Sequence, residues 1–230
     1  MGKIMPFCGF DKEFDEIWAH AIKAVELTGK EHPNFLIIPT SAFDDYNRGT
    51  LNVYSKLGCS VDLLLLTHAC ITEDIVREKI ERADMIYVPG GNLKYLMEMW
   101  QKSGTDRYIR KAYENGALLF GSSAGSMCWF EEGFDNCAPY DEKMFTPGVG
   151  LRPYCICPHF NSENWKVFES EIKTRSISGI AVEDGAALCF TDEGNFVFTS
   201  HGTEDCWFFD ARDGFKKYSL SSHPEILATL

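Results

Sequence analysis

Short apolar runs and amphipathic segments alternate along the first half of the chain. Compact apolar runs at 34–39, 61–66 and 84–88 are bounded by polar residues, which is typical of fully buried strands. Between such runs, apolar residues recur at helical spacing, as they do over 14–25 and 75–83. This order predicts an α/β protein with a mostly parallel sheet covered by helices on both faces, that is, a three-layer α/β/α sandwich.

The same reasoning predicts a first strand at 4–8, three further helices and a strand that begins near 116. The three helices are expected over 45–57, 93–101 and 106–114. All these elements continue the order of strand and helix, so the parallel sheet should extend to the middle of the chain.

The second half of the chain departs from this pattern. Residues 130–150 show no clear periodicity and are predicted to be irregular, and a strand is expected at 152–157. Ser162 is predicted to cap a helix over 162–174. Later short runs separated by turn residues predict antiparallel strands near the C-terminus.

Composition adds limits on domain number and partners. Hydrophobic residues make up 45% of the chain and no linker divides it, which predicts one domain over residues 1–230. A net charge of −12 disfavours nucleic acid and anionic membranes, so a small molecule or peptide is the expected partner.

No signal peptide or membrane span is recognisable, which predicts a cytoplasmic protein. A homodimer is kept as a hypothesis.

The nine cysteines are interpreted as free thiols, because their number is odd and no export signal is present. Cys155 and Cys157 stand close to His159, a spacing that a metal fragment can have. Strand alternation explains the two cysteines more simply as apolar residues on one face. No metal or cofactor is expected, and the chain has no phosphate-binding glycine motif of the G-x-G-x-x-G or G-K-[ST] type.

A strand that runs into G-S-S-A-G at 121–125 has the pattern of a nucleophile elbow. In such a turn, glycines on both sides of the central serine leave room for a tight bend between strand and helix, and the serine hydroxyl projects above the sheet. The central serine here is Ser123. The sequence therefore offers Ser123 as a candidate nucleophile.

A serine nucleophile needs a base, for which imidazole is suited at neutral pH. His159 directly follows a predicted strand and is preferred over His201, which lies between predicted antiparallel strands. A carboxylate must then orient the imidazole. The candidates are Asp135, which lies in the stretch predicted to be irregular, and Glu183, Asp184 and Asp192. Glu183 is preferred because it ends a predicted strand beside a turn.

The reaction also needs N–H donors for the negative charge that develops on the carbonyl oxygen. Ala124 N–H, directly after the nucleophile, is the expected first donor. The loop P-G-G-N at 89–92 follows another strand and supplies the expected second donor through Gly91 or Gly90. Ligands of parallel sheets bind at the carboxyl ends of the strands, where both segments are predicted to lie.

Four motifs in this order resemble the peptidase E family of serine peptidases, which includes aspartyl dipeptidase and, more distantly, cyanophycinase. They are P-G-G-N at 89–92, G-S-S-A-G at 121–125, P-H-F at 158–160 and V-E-D-G at 182–185. The resemblance spans roughly residues 34–200. It implies a fold similar to class I glutamine amidotransferases, with a serine in place of their cysteine, and Ser-His-Glu catalysis.

The resemblance assigns a role to six positions. They are Ser123 as nucleophile, His159 as base, Glu183 as acid, Gly91 and Ala124 as oxyanion donors, and Asn92 as a residue of the substrate pocket. An aspartate soon after the nucleophile is the family's rival acid, which leaves Asp135 open here. The implied activity is hydrolysis of a short peptide, as by a dipeptidase, through an acyl-enzyme.

One feature of the family has no clear match. Aspartyl dipeptidases hold the N-terminal aspartate of the substrate with an arginine on the helix after P-H-F, because a guanidinium pairs with a carboxylate through two hydrogen bonds. The corresponding region here carries Lys166, Lys173 and Arg175. Specificity for aspartate is therefore left open.

Two other functions are kept as alternatives. An esterase of the α/β-hydrolase type would use Ser123 with His201 and either Asp184 or Asp192. A binding protein on an amidotransferase-like scaffold would have lost catalysis altogether. The order of residues distinguishes the esterase from the peptidase: Ser123, His159 and Glu183 place the histidine before the acid, whereas α/β-hydrolases have the acid before the histidine.

Overall fold

The computed structural model of the protein describes residues 2–9, 14–137 and 142–230. The strands within these ranges, in chain order, are β1 (Lys3–Phe7), β2 (Asn34–Ile37), β3 (Ser60–Leu63), β4 (Met85–Val88), β5 (Leu118–Ser122), β6 (Phe130–Cys137), β7 (Glu142–Pro147), β8 (Arg152–Cys157), β9 (Gly179–Val182), β10 (Ala186–Cys189), β11 (Phe196–Thr199), β12 (Cys206–Asp210) and β13 (Lys216–Ser219).

The helices divide into longer ones in the first half of the chain and single turns elsewhere. The longer helices are α1 (Phe14–Thr28), α2 (Arg48–Lys56), α3 (Glu73–Arg82), α4 (Leu93–Ser103) and α5 (Thr105–Glu114). The shorter helices are α6 (Ala124–Met127), α7 (Phe168–Glu171) and α8 (Pro224–Leu227). Thr72 caps α3 by accepting a hydrogen bond from Ile75 N, because its hydroxyl meets an N–H group that has no partner within the helix.

The first sheet has the strand order β11–β10–β1–β5–β4–β2–β3. Its five strands from the N-terminal half are parallel, whereas β10 and β11 are antiparallel at one edge. This arrangement confirms the predicted α/β class and the antiparallel strands near the C-terminus. The carboxyl ends of β1, β4 and β5 lie side by side, and the loops after them therefore meet at one edge.

Alternating side chains of this sheet enter different hydrophobic clusters. Met5 and Phe7 of β1 pack with Ala21 and Ala24 of α1 on one face. Ile4, on the opposite face of β1, belongs to a larger cluster that includes residues of α3, α4 and α5 and of a second sheet. The period of two along the strand thus explains how the first sheet is covered on both sides.

The second sheet has the strand order β13–β12–β9–β8–β6–β7. The prediction that 130–150 is irregular is wrong for the described part of that stretch, because β6 and β7 form an antiparallel pair; residues 138–141 lie outside the described residues. Polar residues hide the strand pattern of β6. Glu132 is neutralised by Arg175 from a distant segment, and Asp135 is buried.

The continuous helix predicted over 162–174 is also wrong. The structure has a 3-10 turn at Glu163–Trp165, then α7, then a 3-10 turn at Ile172–Thr174, and the Ser162 side chain makes no capping bond. The apolar residues of this stretch recur at helical spacing because Trp165, Phe168 and Ile172 are all buried in one cluster, and not because they share one continuous helix. Within the described ranges, every helix falls short of the length and apolar character needed to cross a bilayer.

Candidate active site

Ser123 occupies the bend between β5 and α6. Its backbone has φ 53° and ψ −116°, a conformation that residues with a side chain rarely adopt. Ser123 is partly exposed, whereas Ser122 and Ala124 on either side are buried. The strained bend therefore presents the Ser123 side chain at the carboxyl edge of the first sheet, as the elbow motif predicts.

The two glycines of the elbow are required by contact with β4. A Cβ atom on Gly125 would lie 1.8 Å from the carbonyl oxygen of Val88, and one on Gly121 would lie 2.3 Å from the same oxygen. Neither position has room for a side chain. The glycines thus let the elbow lie directly against the end of β4, from which the loop 89–92 continues.

The loop 89–92 lies beside the candidate nucleophile. A Cβ atom on Gly90 would stand 3.2 Å from Ser123 Cβ and 3.8 Å from its Oγ. Gly91 has φ +146°, and a Cβ atom there would be 2.1 Å from the carbonyl oxygen of Ser41. The loop can therefore follow this path only with glycine at 91, which brings its backbone next to the elbow.

Ser41 holds the loop on its outer side. Its Oγ donates to the carbonyl oxygen of Pro89 at 2.8 Å, and its own carbonyl oxygen accepts from Asn92 N at 2.8 Å. The Asn92 side chain accepts from Tyr95 N at 2.8 Å and thereby caps α4. Sequence reasoning missed Ser41, although its place directly after the β2 run is a signal for this edge of the sheet.

His159 follows β8 and has a positive φ of 55°. Its Nδ1 lies 2.5 Å from Oδ1 of Asp184, which stands in the turn between β9 and β10. Asn161 fixes that turn by accepting from Asp184 N at 3.0 Å. The imidazole also packs against Trp165, with ring centroids 5.4 Å apart. Both members of the His159–Asp184 pair are partly exposed, so the ring is held in place and open to solvent.

Glu183 does not make the contact that the sequence predicts for it. Its carboxylate accepts hydrogen bonds from Asp205 N at 2.9 Å and from Trp207 Nε1 at 2.8 Å. Adjacent residues at the end of a strand point in different directions, so only one of Glu183 and Asp184 can face His159. The structure brings Asp184 to the histidine and uses Glu183 to join β9 to β12.

Cys8 lies beneath Ser123, His159 and the turn that carries Asp184, and its contacts connect the three. Phe7 pairs in register with Ser122, which places Cys8 level with Ser123. Cys8 N donates to Ala186 O at 3.1 Å, and Cys8 O accepts from Gly185 N at 2.9 Å, directly after Asp184. Burial raises the pKa of the Cys8 thiol to about 12, and hydrogen bonds from the backbone of His159 and Ser123 act in the opposite direction.

These contacts bring the nucleophile, the histidine and the turn of Asp184 around one buried residue. Sequence reasoning missed Cys8. Its position at the end of the first strand was the available signal, because the carboxyl ends of parallel neighbours share an edge.

The other candidates lie elsewhere or have other partners. His201 is exposed in the turn between β11 and β12, where its backbone N–H donates to Glu204. Asp135 is buried on β6, and its Oδ1 accepts from Asn136 N at 2.8 Å. Burial raises the pKa of Asp135. The structure therefore gives Asp184, and neither Asp135 nor Glu183, the contact with His159.

The cationic residues after P-H-F differ in whether a carboxylate of the protein itself already binds them. Arg175 donates two hydrogen bonds to Glu132, one of them at 2.9 Å, and its guanidinium covers the Phe145 ring. Lys166 pairs with Glu163 at 3.0 Å, and Lys173 is exposed. Arg175 is thus already engaged with a carboxylate of the protein itself.

The fold and the elbow define an α/β protein with a serine in the position of a candidate nucleophile. Residues 13–197 match the sequence model of peptidase family S51. This match covers well over half of the chain, and the protein therefore belongs to peptidase family S51, a family of serine-type peptidases.

Curated relatives support the assignment over most of the chain. The uncharacterized peptidase YgaJ of Bacillus subtilis (strain 168) is 32% identical over 197 residues, which are 83% of this chain and 79% of YgaJ. Peptidase E of Escherichia coli O6:H1 (strain CFT073) is 28% identical over 191 residues, 80% of either chain. The match to peptidase E agrees with the resemblance found in the four sequence motifs.

Two solved structures share the fold. A peptidase from an acI-B1 actinobacterium superposes with a TM-score of 0.71 at 18% identity, covering 96% of this chain and 94% of its own. A putative peptidase E from Listeria monocytogenes EGD-e gives a TM-score of 0.66 at 18% identity, covering 86% of this chain and 98% of its own. At this identity the likeness concerns the fold alone.

Proposed function

We propose that the protein hydrolyses a short peptide through an acyl-enzyme, with Ser123 as nucleophile, His159 as general base and Asp184 as the carboxylate that orients the imidazole. The observation that carries the proposal is the 2.5 Å contact between His159 Nδ1 and Asp184 Oδ1 at the edge of the sheet where Ser123 is partly exposed. The contact of both Ser123 and His159 with Cys8 supports the same grouping.

In the first step, Ser123 Oγ attacks the carbonyl carbon of the substrate and its proton passes to Nε2 of His159. Asp184 keeps the other ring proton on Nδ1, which leaves Nε2 free to accept. The same carboxylate stabilises the imidazolium that forms, because an opposite charge at hydrogen-bond distance favours the protonated ring.

The carbonyl oxygen becomes negatively charged in this step. Ala124 N–H and Gly91 N–H are the proposed donors to it, and α4 begins two residues after Gly91, so the positive end of its dipole adds to the effect. The intermediate then collapses as the imidazolium returns its proton to the leaving amine. A water molecule, deprotonated by His159, attacks the acyl-enzyme and releases the acid product and free Ser123.

The expectation of a peptide substrate comes from the resemblance to peptidase E. The contact of Arg175 with Glu132 bears on which residues that peptide can contain. A substrate aspartate held by Arg175 would have to displace Glu132, so Arg175 does not support the aspartate specificity of aspartyl dipeptidases. The esterase alternative has less support, because His201 lies in an exposed turn, while Asp184, one of the acids it would use, contacts His159 instead.

A dipeptide library assayed with wild type and Ser123→Ala tests the proposal. We expect wild type to cleave a subset of the peptides and Ser123→Ala to lose at least about 10³-fold in kcat/KM on them. Ser170→Ala, which removes an exposed serine hydroxyl on α7, is the matched control and should behave as wild type. Equal turnover by folded Ser123→Ala and wild type would contradict the proposal.

A further inference from the structure

Phe43 is the most exposed large apolar side chain among the described residues, with 64% of its surface accessible. It follows the 3-10 turn Pro39–Ala42, which comes after β2 at the carboxyl edge of the first sheet. Exposing an aromatic ring to water gives no stability to the fold. The position of Phe43 therefore calls for a reason other than packing of the core.

The backbone at this position is strained as well. Phe43 has φ 58° and ψ 37°, and Asp44 after it has φ 61°, so two consecutive residues with side chains adopt the left-handed conformation. The Asp44 carboxylate maintains this shape by accepting hydrogen bonds from Thr67 N at 2.6 Å, Thr67 Oγ1 at 2.7 Å and Thr40 Oγ1 at 3.2 Å. Strain maintained in this way is common at functional sites.

Phe43 reaches the rim of the candidate active site. Its ring lies 4.6 Å, centroid to centroid, from that of Tyr95 in the first turn of α4. Ser41, two residues before Phe43, accepts the hydrogen bond from Asn92 N, and Gly91 packs against its carbonyl oxygen. The two rings thus lie against each other beside the loop that supplies the proposed oxyanion donor.

We infer that Phe43 and Tyr95 form a subsite that receives an apolar or aromatic side chain of the peptide, on a residue next to the scissile bond. The inference rests on the proposed function, and it adds the substrate class. A strained, exposed ring beside the oxyanion loop offers a preformed apolar surface, and a substrate side chain that covers it removes both from water.

Two series of dipeptides test the subsite, each with one residue kept as alanine and the other varied among Gly, Leu, Phe, Lys and Asp. In one series, wild type should prefer Phe or Leu over Gly by about tenfold or more in kcat/KM, because burial of a large apolar side chain favours binding. Phe43→Ala and Tyr95→Ala should reduce that ratio to about threefold or less. Ile22→Ala, an exposed apolar residue on α1, should leave the ratio unchanged.

Phe43→Gly separates recognition from folding. Glycine adopts the left-handed conformation without strain, so this variant should unfold at a temperature no lower than that of wild type and yet lose the preference for Phe and Leu. An unchanged ratio in folded Phe43→Ala, or a wild type that prefers Gly, Lys or Asp in both series, would overturn the inference.

Equilibrium binding distinguishes a failure of the subsite from a failure of the proposed function. The same peptides are titrated calorimetrically into Ser123→Ala and into the double variant Ser123→Ala with Phe43→Ala. The Phe or Leu peptide should bind roughly tenfold more tightly to the first variant. Tighter binding without any hydrolysis by wild type would refute the peptidase mechanism and keep the subsite, whereas hydrolysis with equal binding would refute the subsite alone.

Discussion

His159 Nδ1 lies 2.5 Å from Oδ1 of Asp184, the second residue of the turn that joins β9 to β10. The residue before it, Glu183, is turned toward Asp205 and Trp207 instead. A one-residue difference in sequence thus separates a carboxylate that can orient the imidazole from one that joins two strands. The pair gives a direct way to test which carboxylate acts in catalysis.

Asp184→Asn should lower kcat by on the order of 10²–10⁴-fold, because an amide at this position can hold the imidazole in the wrong tautomer and cannot stabilise the imidazolium. Glu183→Gln is the matched change on the neighbouring residue. It should keep most of kcat and lower the free energy of unfolding by about 1–3 kcal/mol, since its two donors lose a charged acceptor. Steady-state kinetics and urea unfolding measure the two effects. A loss of kcat in Glu183→Gln as large as in Asp184→Asn would return the role to Glu183.

Gly125→Ala should lower the free energy of unfolding by about 3 kcal/mol or more, because the new Cβ would meet the buried carbonyl of Val88. Gly29→Ala is a suitable control. Gly29 also has a positive φ, of 66°, but no atom lies within 4 Å of its added Cβ, so only the backbone strain of about 1–2 kcal/mol applies. Chemical denaturation of both variants measures the difference, and similar losses would argue against the close contact between the elbow and β4.

Asp135→Asn should stabilise the protein at neutral pH. Burial raises the pKa of Asp135 above its ordinary value, and nearby N–H groups and Lys143 do not cancel that effect. A carboxyl whose pKa is raised by folding contributes stability below its unfolded pKa, and this contribution is lost as the pH rises through the folded pKa. At neutral pH the unfolded chain carries Asp135 as a carboxylate, so folding must either bury that charge or bind a proton, and both cost free energy; the amide of Asp135→Asn removes this cost.

Urea unfolding of wild type and Asp135→Asn at about pH 4 and about pH 7 checks this sign. The stability advantage of the variant should be larger at the higher pH. Its kcat serves as a second readout, because Asp135 is the rival acid: a loss comparable to that of Asp184→Asn would mean that Asp135, and not Asp184, supports His159.

Thiol labelling of the native protein should distinguish Cys70 from Cys8. Cys70 is exposed, whereas Cys8 is buried and its thiol pKa is raised to about 12, so little thiolate forms at mildly alkaline pH. Iodoacetamide followed by peptide mass spectrometry should find Cys70 modified and Cys8 intact until the protein is unfolded. Cys70→Ser controls for the exposed thiol. Rapid labelling of Cys8 under native conditions would contradict its place beneath Ser123 and His159.

The sequence by itself determined the order of strands and helices in the first half of the chain and the position of the elbow. Both depend on local features. An apolar period is read within one segment, and the bend at Ser123 needs glycines two residues away on either side, so no distant contact has to be known. The choice of His159 as the candidate base followed from its place directly after a strand.

Only the tertiary structure decided which carboxylate meets His159 and where the second sheet runs. The sequence favoured Glu183 over its neighbour Asp184, but the directions of the two side chains are set by Asp205, Trp207 and the turn after β9. Strand β6 carries charged residues that fit a sheet because Arg175, far along the chain, neutralises Glu132. Such partners come from segments that meet only on folding, and a local pattern cannot contain them.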